Sequence, residues 1–240
     1  MEKTFWPRMI LDLKGMKLLK AMQLGESLAT QADAVKIHSL WDDIGSSVVD
    51  TLKRAGIKKV WVDLKLKDTP DTIAERATVV RDAGADMLTV HIDGGKDMLE
   101  NALKFGPPEI FGVTVLTSLK EEEFKNLYGL TIAEAVLVRA LIAKEVGLQG
   151  IICSAKQVGG LSSNPDLQGL RFIVPGTRSV GADHNDQQQV DTPGNAVLNG
   201  ATDLVVGRQV TKAEDKLKAF NELQMEIAYA LNSKYSAGVV

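Results

Sequence analysis

Cysteine occurs once in this chain of 240 residues, as Cys153, and histidine only three times. A lone cysteine excludes an intramolecular disulfide, and no cysteine and histidine cluster suggests structural zinc. Charge of one sign is also lacking, because 28 basic residues nearly balance 31 acidic ones and leave a formal charge of -3. No broad positive field is therefore expected to draw nucleic acid. No apolar run approaches the roughly 18 residues of a membrane span. The N-terminus carries Glu2 and Trp6 rather than a signal-like apolar block. A soluble, cytoplasmic protein is expected. Missing too is a G-x-G-x-x-G fingerprint after a strand, so the glycine pairs give no support to a dinucleotide site.

What the chain does have is a regular alternation of short apolar runs with helical stretches. The runs cover residues 9–13, 34–37, the start of 60–72, 87–92, 110–116, 150–153, 171–174 and 204–206. Between them the apolar spacing turns helical, over residues 16–29, 44–55, 73–83, a stretch closing near 103, 131–146 and 193–198, with a long amphipathic helix over 213–230. The weakest element is a short helical piece at 156–158, before Gly159 and Gly160, and the charged turn at 120–125 supplies helical material ahead of 131–146. Eight strands at intervals of roughly 25 to 30 residues, nearly all followed by a helix, describe one (β/α)8 TIM barrel spanning 1–240 better than an open sheet.

Residues 60–72 read V-W-V-D-L-K-L-K-D-T-P-D-T, an apolar strand that passes abruptly into alternating acid and base. In an extended strand Asp63 and Lys65 share one face. Two charges aimed into one enclosure form either a structural ion pair or a working site, since uncompensated desolvation costs several kcal/mol for each.

Active sites of barrels lie where the strands finish. That rule gathers Asp12, Lys36, His38, Asp63, Lys65, His91, Asp93, Thr117 and Ser118 on one rim, with P-G-T-R at 175–178 and G-R at 207–208. The loops after the last two strands commonly hold phosphate. Backbone N–H groups at Gly176 and Gly207 can approach an anion, and Arg178 and Arg208 can clamp its oxygens. His38 and His91 read as packing residues, His91 as a hydrogen-bonded one, and Cys153 as a small buried side chain without a neighbouring base.

The run V-D-L-K-L-K-D-T-P-D-T resembles the signature of the orotidine 5'-monophosphate decarboxylase family. V-T-V-L-T-S at 113–118, V-P-G-T-R at 174–178 and V-V-G-R at 205–208 are similar to further stretches of that family, in the same order. The resemblance implies a barrel lyase that converts orotidine 5'-monophosphate to uridine 5'-monophosphate and carbon dioxide without a cofactor or metal. It implies a charged network of Asp63, Lys65 and Asp68 with Lys36. It also implies a homodimer in which Asp68 and Thr72 complete the neighbouring subunit's site. Asp12 and Lys36 then correspond to ribose contacts, Thr117 or Ser118 to a pyrimidine contact, and Gln187 to a residue spanning pyrimidine and phosphate. Arg178 and Arg208 correspond to phosphate ligands.

The residue types suit that chemistry. Loss of carbon dioxide from C6 of orotate leaves a vinyl-type carbanion with no adjacent electron sink, and Lys65 can serve as both nearby cation and proton donor. Asp63 would hold the lysine and lie near the substrate carboxylate. Phosphate binding can help order residues 181–189 over the pyrimidine. The chain departs from the family pattern in K-I-H-S, which puts His38 where a small residue is usual, and in Thr69 and Asp71 around Pro70 of the signature. Two alternatives stay open. One is a magnesium-dependent sugar-phosphate enzyme, such as 3-keto-L-gulonate 6-phosphate decarboxylase or hexulose-phosphate synthase, which share D-x-K-x-x-D. The other is a non-catalytic barrel that binds a phosphate ligand.

Overall fold

The computed structural model describes residues 6–179 and 191–237. The first half of the chain runs β1 (Arg8–Asp12), α1 (Leu18–Ser27), β2 (Ala34–Ile37), α2 (Ser39–Ile44), α3 (Ser47–Arg54), β3 (Val60–Leu66), α4 (Pro70–Asp82), β4 (Met87–His91) and α5 (Lys96–Phe105). It continues with β5 (Glu109–Val113), α6 (Glu121–Tyr128), α7 (Ile132–Val146), β6 (Gly150–Ile152), α8 (Ala155–Ser162) and β7 (Arg171–Pro175). The last elements are α9 (Pro193–Leu198), β8 (Asp203–Val206), α10 (Arg208–Thr211) and α11 (Lys216–Ala237). Among the described residues, eight parallel strands pair in chain order and β8 returns to β1, so the sheet closes. The fold is the expected (β/α)8 barrel.

Strand parity divides the core into two layers. Met9, Leu11, Val35 and Val62 face outward into a large apolar shell shared with the helices. Ile10, Ala34, Trp61, Met87, Phe111, Ile173 and Val205 face inward and fill the barrel. Trp61 meets Phe111 edge to face at 5.2 Å, and its indole N–H donates to Thr89 Oγ1 at 2.7 Å, which satisfies the one polar group of that ring in the dry interior. Arg171 closes the N-terminal mouth over Phe111, paired with the buried Asp203 and with Glu109. The same parity sets the functional end. Two residues beyond Ile10, Ala34 and Trp61 on the inward face come Asp12, Lys36 and Asp63, lifted clear of the packed layers.

Several element boundaries differ from the sequence pattern. The helix expected over 44–55 is split at Gly45, whose φ of +82° suits glycine, and the unexpected α2 precedes it. His38 starts α2: its Nδ1 accepts from the Ser39 N–H at 2.7 Å. The charged segment at 120–125 belongs to α6, with three glutamates in its first turn complementing the helix dipole. The short piece at 156–158 extends to the eight residues of α8, started by a Ser154 and Gln157 capping box and anchored by the buried Val158 and Leu161. β5 ends at Val113, which leaves Thr117 and Ser118 in the turn beyond it. The final helix begins at Lys216, after the separate α10. No single helix among the described residues is long and apolar enough to cross a membrane.

Candidate active site

Four charged side chains from the first three strands form a continuous chain at the C-terminal mouth. Asp12 Oδ1 lies 3.3 Å from Lys36 Nζ, Lys36 Nζ lies 2.7 Å from Asp63 Oδ2, and Lys65 Nζ lies 2.8 Å from the same Asp63 oxygen. Asp63 and Lys36 are buried, whereas the Lys65 side chain is 38% exposed. The outer ammonium is therefore the one open to an incoming molecule.

Burial by itself would raise the pKa of the Asp63 carboxyl, but Lys36 and Lys65 outweigh it and hold it well below the usual carboxylate range. Burial likewise works against the Lys36 ammonium, yet Asp63 and Asp12 raise its pKa above the ordinary lysine value. The second Asp63 oxygen, Oδ1, is buried and has no hydrogen-bond partner among the described residues.

Asp63 and Lys65 do not meet through regular strand geometry. Lys65 has φ of +49°, the one positive value outside glycine among the described residues, and the β3–β4 register shifts between Val62 and Leu66. A left-handed conformation costs a residue with a β-carbon roughly 1–2 kcal/mol. Here it folds the strand end back so that Lys65 Nζ reaches the carboxylate two residues before it. Uncommon backbone conformations of this kind cluster at functional sites.

Beside this chain opens a cavity of about 430 Å³. Asp12 and Lys36 line one side, with Gly176 and Arg178 after β7 and Gly207 and Arg208 after β8 on the other. Lys14 and Lys212 add further positive charge, so cations dominate the lining. The Arg178 side chain is buried and donates to the Thr177 carbonyl at 2.7 Å. The two glycines serve differently. Gly176 has φ of +81° and needs glycine for its backbone conformation. Gly207 has φ of -126°, and a β-carbon there would stand 3.7 Å from Asp12 Cβ, an ordinary contact.

The remaining expected residues are more dispersed. Asp68 is exposed just before α4 and accepts from the Thr69 N–H at 2.8 Å; among the described residues it joins no ion pair, so it stands outside the Asp12–Lys36–Asp63–Lys65 chain. Thr72 shares a 3.0 Å hydroxyl contact with Thr69 in the first turn of α4, where Asp71 also sits. His91 Nδ1 is 3.8 Å from Asp93 Oδ1, beyond hydrogen-bond distance. Burial lowers its pKa. Burial, with Lys36 adding to it, also lowers that of His38, whose ring caps α2. Burial pushes the Cys153 thiol up to about 12, so it is an inert core group. Gln187 and residues 181–189 lie outside the described residues.

One site-forming residue escaped the sequence reading. Arg139 of α7 donates to the Thr114 carbonyl at 2.5 Å and approaches Asp93 Oδ2 at 3.4 Å, while Lys67 pairs with the same Asp93 oxygen at 3.1 Å. A single arginine in the largely apolar I-A-E-A-V-L-V-R-A-L run gave no local signal of that role.

Comparison with known proteins adds independent findings. The family model for orotidine 5'-phosphate decarboxylase / HUMPS matches residues 9–223. An orotidine 5'-phosphate decarboxylase of Cutibacterium acnes is 38% identical over 187 residues, covering 75% of this chain and 78% of the relative. One from Ehrlichia chaffeensis is 33% identical over 213 residues, covering 87% and 91%. Among solved structures, orotidine 5'-phosphate decarboxylase from Lactobacillus acidophilus superposes with a TM-score of 0.73 at 28% identity, covering 92% of this chain and 98% of that one.

Proposed function

The chain belongs to the orotidine 5'-phosphate decarboxylase / HUMPS family, and from that premise we propose that it decarboxylates orotidine 5'-monophosphate to uridine 5'-monophosphate and carbon dioxide. The observation that carries the reading is the shared placement of two functions. A partly exposed ammonium, Lys65, is held at 2.8 Å by a buried carboxylate that also pairs with Lys36, and Lys36 lines a cavity together with the glycine and arginine pairs of the last two strands.

In this reading the phosphate enters between Gly176, Arg178, Gly207 and Arg208, where two guanidinium groups supply charge-assisted donors. Asp12 and Lys36 receive the ribose hydroxyls. Thr117 or Ser118 contacts the pyrimidine, and Gln187 spans pyrimidine and phosphate. The orotate carboxylate then lies toward Asp63, and C6 toward Lys65. When the bond from C6 to the carboxylate breaks, its electron pair stays on C6 and neutral carbon dioxide leaves. The Lys65 ammonium stabilises the developing negative charge and gives its proton to C6, so the reaction needs no separate electron sink or cofactor.

The Asp63 pairing supports that role. It fixes the direction of the Lys65 N–H bonds before the substrate arrives, so little reorganisation is left for the reacting step. Asp68 and Thr72 are assigned to the neighbouring subunit's site in a homodimer, in keeping with the exposed position of Asp68 at the start of α4.

The reading is tested by following orotidine 5'-monophosphate absorbance with purified protein in excess chelator, beside magnesium-supplemented assays on hexulose and keto-gulonate phosphates. Turnover of the nucleotide, unaffected by chelator, is the expected result. Turnover of a sugar phosphate alone, and only with magnesium, would overturn it.

A further inference from the structure

We propose that Arg139 is a positioning residue, which fixes the turn bearing Thr117 and Ser118 and ties it to the rim that carries Asp68. The proposal deepens the decarboxylase reading and rests on it for the identity of the ligand.

Thr117 and Ser118 lie past the end of β5, so no strand pairing orients them. The segment that holds them is gripped at both ends by one side chain. At its start the Arg139 guanidinium donates to the carbonyl of Thr114, a buried residue whose own hydroxyl donates to the Ile152 carbonyl at 2.8 Å. At its far end the same guanidinium packs on the rings of Phe124 and Tyr128, at 5.5 and 5.3 Å, and these rings stack on each other at 4.5 Å. Glu121 Oε1 accepts from the Ile132 N–H at 3.0 Å, which fastens α6 to α7 beneath them.

A third tie runs sideways. Asp93, after β4, faces both Arg139 and Lys67, and Lys67 immediately precedes Asp68. One largely buried cation from a helix thus joins the ends of β4 and β5, and Asp93 links them through Lys67 to the end of β3. Loss of its donors would free the β5 turn while leaving the two arginines beyond β7 and β8 untouched, because none of its partners comes from those strands.

The test uses Arg139→Met, which keeps much of the stem that lies on the rings but removes the donors, and Arg139→Lys, which keeps one cationic head. Hydrogen exchange is measured on residues 115–118 and on 176–178, together with binding of uridine 5'-monophosphate and of ribose 5-phosphate. In Arg139→Met, exchange at 115–118 is expected to rise while 176–178 stays as in the parent protein. Nucleotide binding should weaken by about tenfold or more. Ribose 5-phosphate, which lacks a base, should bind within about twofold of the parent value. Arg139→Lys should fall between the two on both readouts, and it decides the matter if the methionine variant does not fold.

Unchanged exchange at 115–118 would overturn the proposal, as would equal weakening of both ligands or a freed turn with unaltered nucleotide binding. If the parent protein failed to bind the nucleotide at all, the decarboxylase reading would fall. The exchange data would still show whether Arg139 holds the turn.

Discussion

Asp63 accepts two ammonium groups on one oxygen, and its electrostatics make a pH-dependent contribution to folding. Its folded pKa lies below the ordinary aspartate value of 3.8, so its stabilisation is fully present above that value and is lost as pH falls toward the folded one. Lys36 has the opposite sign. Its folded pKa lies above 10.5, so its contribution is present below that value and disappears as pH rises through the folded one. Asp63→Asn should destabilise the fold by about 3 kcal/mol near neutral pH, because it leaves a buried lysine poorly compensated. The difference from the parent protein should shrink by roughly 1 kcal/mol at about pH 3, where the parent carboxylate begins to lose its advantage. Urea unfolding at the two pH values measures this; a difference that stays constant would refute the assignment of that pairing.

The charges themselves were legible in the sequence, since Asp63 and Lys65 stand two apart at a strand end. The way they meet was not. Nothing in L-K-L announces a lysine at φ of +49°, because the conformation is imposed by the surrounding barrel and runs against lysine's own preference. Arg139 was hidden for a related reason: its partners Thr114, Asp93 and Phe124 come from three other segments.

At the scale of elements, the strand-to-helix rhythm was read correctly because inward and outward positions alternate and glycines close the helices. The misread places are those where local composition and tertiary context disagree. Lys120 to Lys125 has the charge of a turn, and only the burial of Phe124 against the core shows that its glutamates form the first turn of a separate helix, α6. Gly159 and Gly160 look like a helix stop, yet the capping box before them and Leu161 after them carry α8 through.

The two rim glycines also separate at this scale. Gly176→Ala should cost about 1 kcal/mol or more in stability, since its left-handed backbone resists a β-carbon. At Gly207 a β-carbon finds room beside Asp12, so Gly207→Ala meets no steric clash there. In the proposed site, however, that β-carbon narrows the approach of phosphate to the strand end. Thermal unfolding of Gly176→Ala and ribose 5-phosphate binding by Gly207→Ala measure the two effects. An unchanged melting temperature in the first, or full phosphate binding by the second, would count against these roles.

For the whole molecule, barrel closure brings the first strands and the last two to one mouth. That is why charges as distant in sequence as Asp12 and Arg208 line a single cavity. The order of strands supported this arrangement in advance, whereas closure itself could be seen only in the fold. Within one chain the mouth holds Lys65 and Asp63 but leaves Asp68 exposed and outside the ion-pair chain. The proposed mechanism accordingly sets the lysine between two carboxylates, one from its own chain and one from a second copy.

Subunit mixing tests that claim most directly. Lys65→Ala and Asp68→Ala are each expected to be inactive toward orotidine 5'-monophosphate. After complete exchange in equal amounts, half of the random pairs contain one intact site, so about one quarter of the parent activity should return. No recovery after verified exchange, or normal turnover by either variant alone, would contradict it.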